Sequence, residues 1–129
     1  MRNEWNLWVV GGDMRQAKLA ELLAEDGHTV HTWALEGAEE AVEPAERLEE
    51  ARLADCVILP LPAAGGGGRL NAPLSALHPS LEEVLDALRP GQVVCAGKVG
   101  PGLRALAEER GLRLFDYFLR EELAVANAV

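Results

Sequence analysis

The chain has 129 residues, of which 49% are hydrophobic, 26% are charged and 5% are aromatic. These proportions are typical of one globular domain and exclude collagen-like, coiled-coil and disordered chains. The formal net charge of −9 argues against binding to the phosphate backbone of DNA or RNA, and no apolar stretch is long enough to span a membrane.

Short apolar runs alternate with amphipathic stretches from the N-terminus onward, which indicates a parallel α/β sheet. The first run, Leu7 to Val10, predicts a strand that ends at Gly11 and Gly12. Leucines at helical spacing follow and predict a helix that stops at Gly27. A second strand is predicted over Thr29 to Trp33.

The middle of the chain is predicted to hold a short helix, a strand and a long loop. The Glu/Ala-rich stretch 35–54 predicts a helix that starts near Pro44, because proline is favoured in a first turn. Cys56 to Leu59 is a continuous apolar run, typical of a strand buried on both faces. The loop from Pro60 to Ser75 contains four consecutive glycines, and we expect it to be mobile over the mouth of a cleft. A disordered loop without a role is the alternative.

The last third of the chain is predicted to contain two helices and two strands. One helix begins at Ser80 and another at Pro101. The fourth and fifth strands are predicted over Val93 to Ala96 and Leu112 to Phe115. The sequence therefore predicts a single α/β domain over residues 1–129, with an open, doubly wound, mostly parallel sheet of about five strands, flavodoxin-like or Rossmann-like.

The turn after the first strand is the first candidate site, because such sheets bind ligands outside the carboxyl ends of their strands. Gly11 and Gly12 allow a tight turn, while Asp13 and Gln16 fit a helix cap in which the carboxylate accepts an N–H and the amide reaches back. Arg15 does not serve a cap, because a cation is unfavourable at the positive end of a helix. The hypothesis is a small anion held by first-turn N–H groups and the guanidinium. Capping alone, with Arg15 turned into water, is the alternative.

The other segments contain weaker signals of ligand binding or catalysis. Arg15 stands where a G-x-G-x-x-G fingerprint needs a small residue, and the glycine loop lacks the Lys-Ser or Lys-Thr of a P-loop. Gly97 and Lys98 follow the fourth strand, at the same edge of the sheet, although a surface role is favoured for the lysine. The histidines have no acid at suggestive spacing and no nucleophile elbow is present, so no catalytic set emerges.

The two cysteines, Cys56 and Cys95, lie inside apolar runs without a CxxC partner or a histidine at metal-ligand spacing. The N-terminal residues have the pattern of neither a signal peptide nor a transit peptide. We therefore expect a cytoplasmic protein with two reduced, buried thiols and no metal site.

Three stretches together resemble one family, the A subunit of dipicolinate synthase. WVVGGDMRQAKLAELLAEDGHTV resembles its opening strand, its Gly-Gly-Asp-x-Arg-Gln motif and the helix that follows. DCVILPLPAAGGGG is similar to its Ile-Leu-Pro strand end and loop, and LFDYFLREELAVANAV is similar to its Leu-Phe, acidic-pair, Ala and Asn segment. The sequence ends at Val129, before the Pro-Thr-x-Glu-Gly motif and the NADP-binding Rossmann domain of that family. We therefore expect the N-terminal domain of a longer, two-domain polypeptide.

The resemblance implies that the whole polypeptide, with the B subunit of dipicolinate synthase as its partner, oxidises dihydrodipicolinate to dipicolinate with NADP. It places this reaction in the mother-cell cytoplasm of a spore-forming bacterium. This chain would form part of the cleft for the small dicarboxylate substrate, would be inactive alone, and would bind no cofactor itself, since NADP belongs to the other domain. Catalytic residues stay unassigned, and a homo-oligomer is left open. Carried over by position, the substrate-site residues are Gly11, Gly12, Asp13, Arg15, Gln16, Pro60, Gly97 and Asn127.

Two other interpretations stay open. The chain could be a free-standing flavodoxin-like module that binds a nucleotide or another small anion at the turn formed by Gly11 and Gly12. It could instead be a structural domain that makes contacts between subunits through an exposed strand edge or its C-terminal tail. Tight NADP binding by this chain would count against its assignment as the substrate-side domain of a dipicolinate synthase subunit.

Overall fold

The computed structural model describes residues 4–38, 42–97 and 99–116. Within these ranges, six strands form one parallel sheet in the order β3-β2-β1-β4-β5-β6. The strands are β1 (Asn6–Val10), β2 (Thr29–Trp33), β3 (Glu43–Pro44), β4 (Cys56–Ile58), β5 (Val93–Ala96) and β6 (Arg113–Asp116). The α-helices are α1 (Met14–Glu25), α2 (Leu81–Asp86) and α3 (Pro101–Glu109), and there are 3-10 helices at Leu48–Leu53 and Gly66–Gly68.

The predicted α/β class and the doubly wound sheet are confirmed. The five predicted strands lie in the order β2-β1-β4-β5-β6, which is the order of flavodoxin-like sheets. The short β3 adds one strand beyond β2 and completes the Rossmann order. The strand interiors are apolar because both faces of the sheet are covered: Val9, Val10, Val57 and Val94 are all fully buried.

Helices pack on both faces of the sheet. On one face, Ala17 and Ala20 of α1 join Val9 and Val30 of the strands in one core cluster. On the other face, α2, α3 and the 3-10 helix Leu48–Leu53 bury a larger cluster around Trp8. The two layers therefore fix α1 beside β1, where the first candidate site begins.

The predicted helix near Pro44 is wrong. Pro44 lies in β3, opposite Thr32, and the following amide of Ala45 donates to the Thr32 carbonyl at 2.7 Å. An edge strand tolerates proline because one side of its backbone makes no ladder hydrogen bonds. Helical structure begins only at Leu48, and as a 3-10 helix in which Ala51 is the buried residue.

The predicted helix ends are confirmed where local capping determines them. Gly27 has φ +98°, its amide donates to Ala24, and the amide of His28 donates to Leu23, which is the hydrogen-bond pattern of a Schellman motif. Ser80 precedes α2 and its Oγ accepts the Glu83 amide at 3.1 Å. Pro101 is the first residue of α3, as expected.

The long loop after β4 contains no α-helix or strand longer than a single bridge, and it is folded against the sheet. Leu70 and Ala72 are buried, and the backbone bridges Ala64 to Leu70 around the 3-10 helix Gly66–Gly68. The amide of Asn71 donates to the Ala63 carbonyl at 3.0 Å. The loop therefore covers the carboxyl edge of the sheet, and its expected mobility stays a prediction.

Cys56 and Cys95 are only half-buried, which is less than the buried thiols that the sequence predicts. They lie on neighbouring strands with their Sγ atoms 3.4 Å apart, and neither forms a disulfide bond. The hydrogen bond to Cys95, together with burial, raises the pKa of the Cys56 thiol well above its ordinary range. None of the helices in the described ranges is both long and apolar enough to cross a membrane.

Candidate functional site

The candidate site lies at the point where the strand order of the sheet reverses. After β1, the chain adds β2 and β3 on one side, and β4 then returns to the other side of β1. The carboxyl ends of β1 and β4 form the switch point at which open α/β sheets bind ligands. A cleft of about 200 Å³ lies there, between the first turn of α1 and the residues Pro60 and Leu61 that follow β4.

The turn between β1 and α1 is tight, and its amides have partners. Gly11 and Gly12 have φ values of +68° and +97°, a region that glycine adopts without strain. The Gly11 amide donates to the Trp33 carbonyl at 2.9 Å, and the Gly12 amide donates to the Asn71 carbonyl at 2.7 Å. These two amides therefore hold neighbouring segments against the turn. The predicted anion site needs amides that point at a ligand, and these two amides do not.

Asp13 and Arg15 form an ion pair at the rim of the cleft. Asp13 is the N-cap of α1, and its Oδ1 accepts the Arg15 amide at 2.9 Å. The guanidinium of Arg15 donates to both carboxylate oxygens, at 3.0 to 3.2 Å. These side-chain hydrogen bonds lower the pKa of Asp13 below its ordinary range. Asp13 is therefore the cap that the sequence predicts, and its carboxylate is also an anion that faces Arg15.

Gln16 does not complete the predicted cap. The residue is only 8% exposed, it lines the cleft, and its Nε2 atom is buried with no hydrogen-bond partner among the described residues. The side chain lies across Gly12: a Cβ atom at Gly12 would come within 2.1 Å of Gln16 Cγ. The amide is therefore folded over the turn and does not reach back to the N-cap.

The second wall of the cleft combines a predicted residue with a missed one. Pro60 is fully buried opposite Gly12 and lines the cleft, and its role in substrate binding stays a prediction. Asn71 also lines the cleft, and its Nδ2 donates to the Pro62 carbonyl at 3.0 Å. Sequence analysis missed Asn71 because its loop has no periodicity. The signal available was its place in the loop after β4, which has to cross the switch point.

The remaining predicted positions lie elsewhere. Gly97 directly follows β5, one strand further along the sheet, and is not among the residues that line the cleft. Asn127 and Lys98 lie outside the described residues. Five of the positions carried over by resemblance therefore lie together around the β1–α1 turn, and Pro60 faces them.

Two of the three histidines have structural partners and His78 is exposed, as expected, although Nδ1 of His31 is buried without a hydrogen-bond partner among the described residues. His31 stacks on Trp8 with ring centroids 5.7 Å apart, and its Nε2 lies 3.2 Å from Glu43 Oε2. His28 Nδ1 accepts the Trp5 amide at 3.1 Å. Across residues 4–38, 42–97 and 99–116, no group of three or more His, Cys, Asp or Glu side chains could hold a metal ion.

The turn is a poor site for a dinucleotide. A pyrophosphate on a Rossmann turn binds the first amides of the helix, and the third glycine of the fingerprint lets the helix pack closely. Here the Asp13 carboxylate already accepts the Arg15 amide, so that amide is not available to a pyrophosphate. Arg15 itself occupies the position of the small residue. The residues of this turn therefore do not fit NADP.

Comparison with known proteins identifies one family and one fold. The family described as the N-terminal domain of the A subunit of dipicolinate synthase matches residues 6–118. The chain is similar to the crystal structure of dipicolinate synthase, A chain, from Bacillus subtilis, with a TM-score of 0.78 and 23% identity over 98% of this chain and 44% of that chain. For the A subunit from Bacillus halodurans the TM-score is 0.75, with 20% identity over 97% and 45%. The chain thus spans less than half the length of both structures. No curated protein sequence matches it.

Proposed function

Because the chain belongs to the family of N-terminal domains from the A subunit of dipicolinate synthase, we propose that it forms the substrate-side wall of an oxidoreductase cleft. In this proposal dihydrodipicolinate binds at the β1–α1 turn and is oxidised to dipicolinate by NADP. The cofactor is bound by a second domain, and the B subunit is the partner in the complete enzyme. The proposal includes the role in sporulation and the mother-cell cytoplasm that the resemblance implies.

The cleft at the switch point is the observation that carries this proposal. Its walls differ in chemistry. Leu19, Pro60 and Leu61 offer apolar surface, while the first turn of α1 offers the side-chain amide of Gln16 and the Asp13–Arg15 ion pair. A flat, single-ring acid needs apolar surface for the ring and polar groups for its carboxylates. The volume of about 200 Å³ is below the range of about 300–1,000 Å³ for drug-sized ligands, which favours a small ligand.

Arg15 supplies the positive charge in this proposal. Its side chain is 78% exposed, so a ligand carboxylate can approach the guanidinium directly. Guanidinium groups bind carboxylates through paired, charge-assisted hydrogen bonds. Asp13 holds the guanidinium at the rim and also neutralises it, so these two residues give the cleft no net charge. A dicarboxylate therefore requires further donors besides Arg15.

A dipicolinate titration of the isotopically labelled 129-residue chain, followed by NMR, tests the proposal. We expect the amide signals of Gly12, Arg15 and Gln16 to shift in the millimolar range. Arg15→Ala should weaken binding by about tenfold, because a charge-assisted hydrogen bond contributes about 1.5–3 kcal/mol. Arg47→Ala is the matched control, since Arg47 is an exposed arginine paired with Glu49 two residues on.

Pyridine-2-carboxylate, which lacks one carboxylate, should bind more weakly than dipicolinate. Shifts that avoid the cleft residues would contradict the proposal. So would an Arg47→Ala variant that loses as much affinity as Arg15→Ala.

A further inference from the structure

Two glutamines are buried in the described part of the chain, and only one of them has hydrogen-bond partners for its side-chain nitrogen. Gln92 is 2% exposed; its Nε2 donates to the Ala51 and Ala54 carbonyls at 2.7 and 2.9 Å, and its Oε1 accepts the Arg89 amide at 3.0 Å. Gln16 is 8% exposed, and its Nε2 makes no such bond. Buried amide donors in proteins nearly always have a partner, so the unpaired Nε2 of Gln16 requires an explanation.

The turn is shaped to hold the Gln16 side chain in the cleft. At Gly12, a Cβ atom would lie 2.1 Å from Gln16 Cγ and 2.6 Å from Gln16 Cβ, distances that no side chain could accept. On the other side, the same Cβ would lie 3.2 Å from Pro60. The glycine therefore leaves the space in which Gln16 lies, between the backbone of the turn and the opposite wall.

We propose that Gln16 recognises the substrate, with its Nε2 donating a hydrogen bond to a carboxylate oxygen of the bound dicarboxylate. This inference rests on the proposed function. It adds a second hydrogen-bond donor, which a dicarboxylate requires because Asp13 neutralises the charge of Arg15. Arg15 is exposed at the rim, whereas Gln16 is buried in the wall of the cleft and its Nε2 has no exposed surface. The two consecutive residues therefore place donors at different depths, and in this inference the Gln16 amide turns toward the ligand on binding. A ligand with two carboxylates can use both donors, whereas a monocarboxylate can use only one.

The test compares Gln16→Met with Gln92→Met in the 129-residue chain. Methionine is close to glutamine in size and has no N–H donor. We expect Gln16→Met to keep or raise the melting temperature, because it removes a buried amide nitrogen that has no partner, and to weaken dipicolinate binding by about tenfold. Gln92→Met should do the opposite: it leaves two carbonyls without a donor, so the melting temperature falls while the affinity of the folded protein is unchanged.

Selectivity provides a second measurement. The wild-type chain should prefer dipicolinate to pyridine-2-carboxylate, and Gln16→Met should reduce that preference. An unchanged dipicolinate affinity in Gln16→Met would overturn the inference and leave the proposed function standing, because the wild type still binds. A melting temperature that falls as far as in Gln92→Met would show a structural role and also overturn it. Absence of dipicolinate binding by the wild type would overturn the proposed function itself.

Discussion

At the N-cap of α1, the Asp13 carboxylate accepts the Arg15 amide and also pairs with the Arg15 guanidinium. The cap is predictable from sequence because it depends on one residue and the helix that follows. The ion pair is not predictable from helical spacing, since residues two apart do not face each other on a helix. Asp13 is extended, with φ −103° and ψ −161°, and this brings its carboxylate beside Arg15.

This pair predicts a pH dependence of stability. The pKa of Asp13 is lower in the folded than in the unfolded chain, so its charged form stabilises the fold at neutral pH. That contribution is lost as the pH falls below about 4 and the carboxyl group becomes protonated. Asp13→Asn keeps a capping oxygen without the charge, so this variant should lose less stability than the wild type between about pH 6 and pH 3.

Urea denaturation at both pH values measures the difference. Glu49→Gln is the control, because it removes one negative charge from an exposed ion pair remote from the cleft. Equal losses in Asp13→Asn and the wild type would mean that the Asp13 charge contributes nothing to stability.

Among the elements, those with local signals are predicted and those set by distant contacts are not. The strands β1, β4 and β5 are mainly apolar runs, and Gly27, Ser80 and Pro101 mark the ends of helices, so the sequence carries the positions of these elements directly. Two-residue β3 has no such pattern and forms only by pairing with β2. The path of the loop after β4 depends on the backbone hydrogen bonds of Asn71. One partner, Gly12, is remote in sequence, and the other, Ala63, lies in the same irregular loop.

The β1–α1 turn allows a matched comparison between two glycines with similar φ values. Gly27 has φ +98° and nothing within 4 Å of an added Cβ, so Gly27→Ala should cost only the strain of the left-handed backbone, about 1–2 kcal/mol. Gly12 has φ +97°, but an added Cβ would overlap Gln16. Gly12→Ala should therefore cost about 1–3 kcal/mol more than Gly27→Ala, and should weaken dipicolinate binding. Chemical denaturation measures both variants, and equal costs would contradict the packing of Gln16 over Gly12.

For the whole molecule, the resemblance in sequence identified the family that the comparisons found, and the alternation of apolar and amphipathic runs predicted the α/β class. The strand order and the cleft could not be predicted, because both depend on how distant segments come together. The switch point lies between β1 and β4, and the cleft takes its two walls from segments about 45 residues apart, near Gln16 and Leu61.

The same arrangement predicts how the chain responds to NADP. The 129-residue chain should show no heat of binding and no NMR shifts at Gly11, Gly12 or Asp13 when NADP is added at concentrations at which dipicolinate binds. Asp13 occupies the first-turn amide that a pyrophosphate would need. Tight NADP binding at this turn would contradict the assignment of the cofactor to another domain and would favour a free-standing nucleotide-binding module.

The bridge between Ala64 and Leu70 divides the long loop into an anchored base and a glycine tip. The base contacts the β1–α1 turn through the Asn71 carbonyl, which accepts the Gly12 amide, whereas Cβ atoms added at Gly67 and Gly68 would meet nothing within 4 Å. Lengthening the tip therefore leaves the geometry of the cleft unchanged, since the bridge isolates one from the other. A peptide tag inserted into that tip should therefore leave both the wall of the cleft and its ligand binding intact.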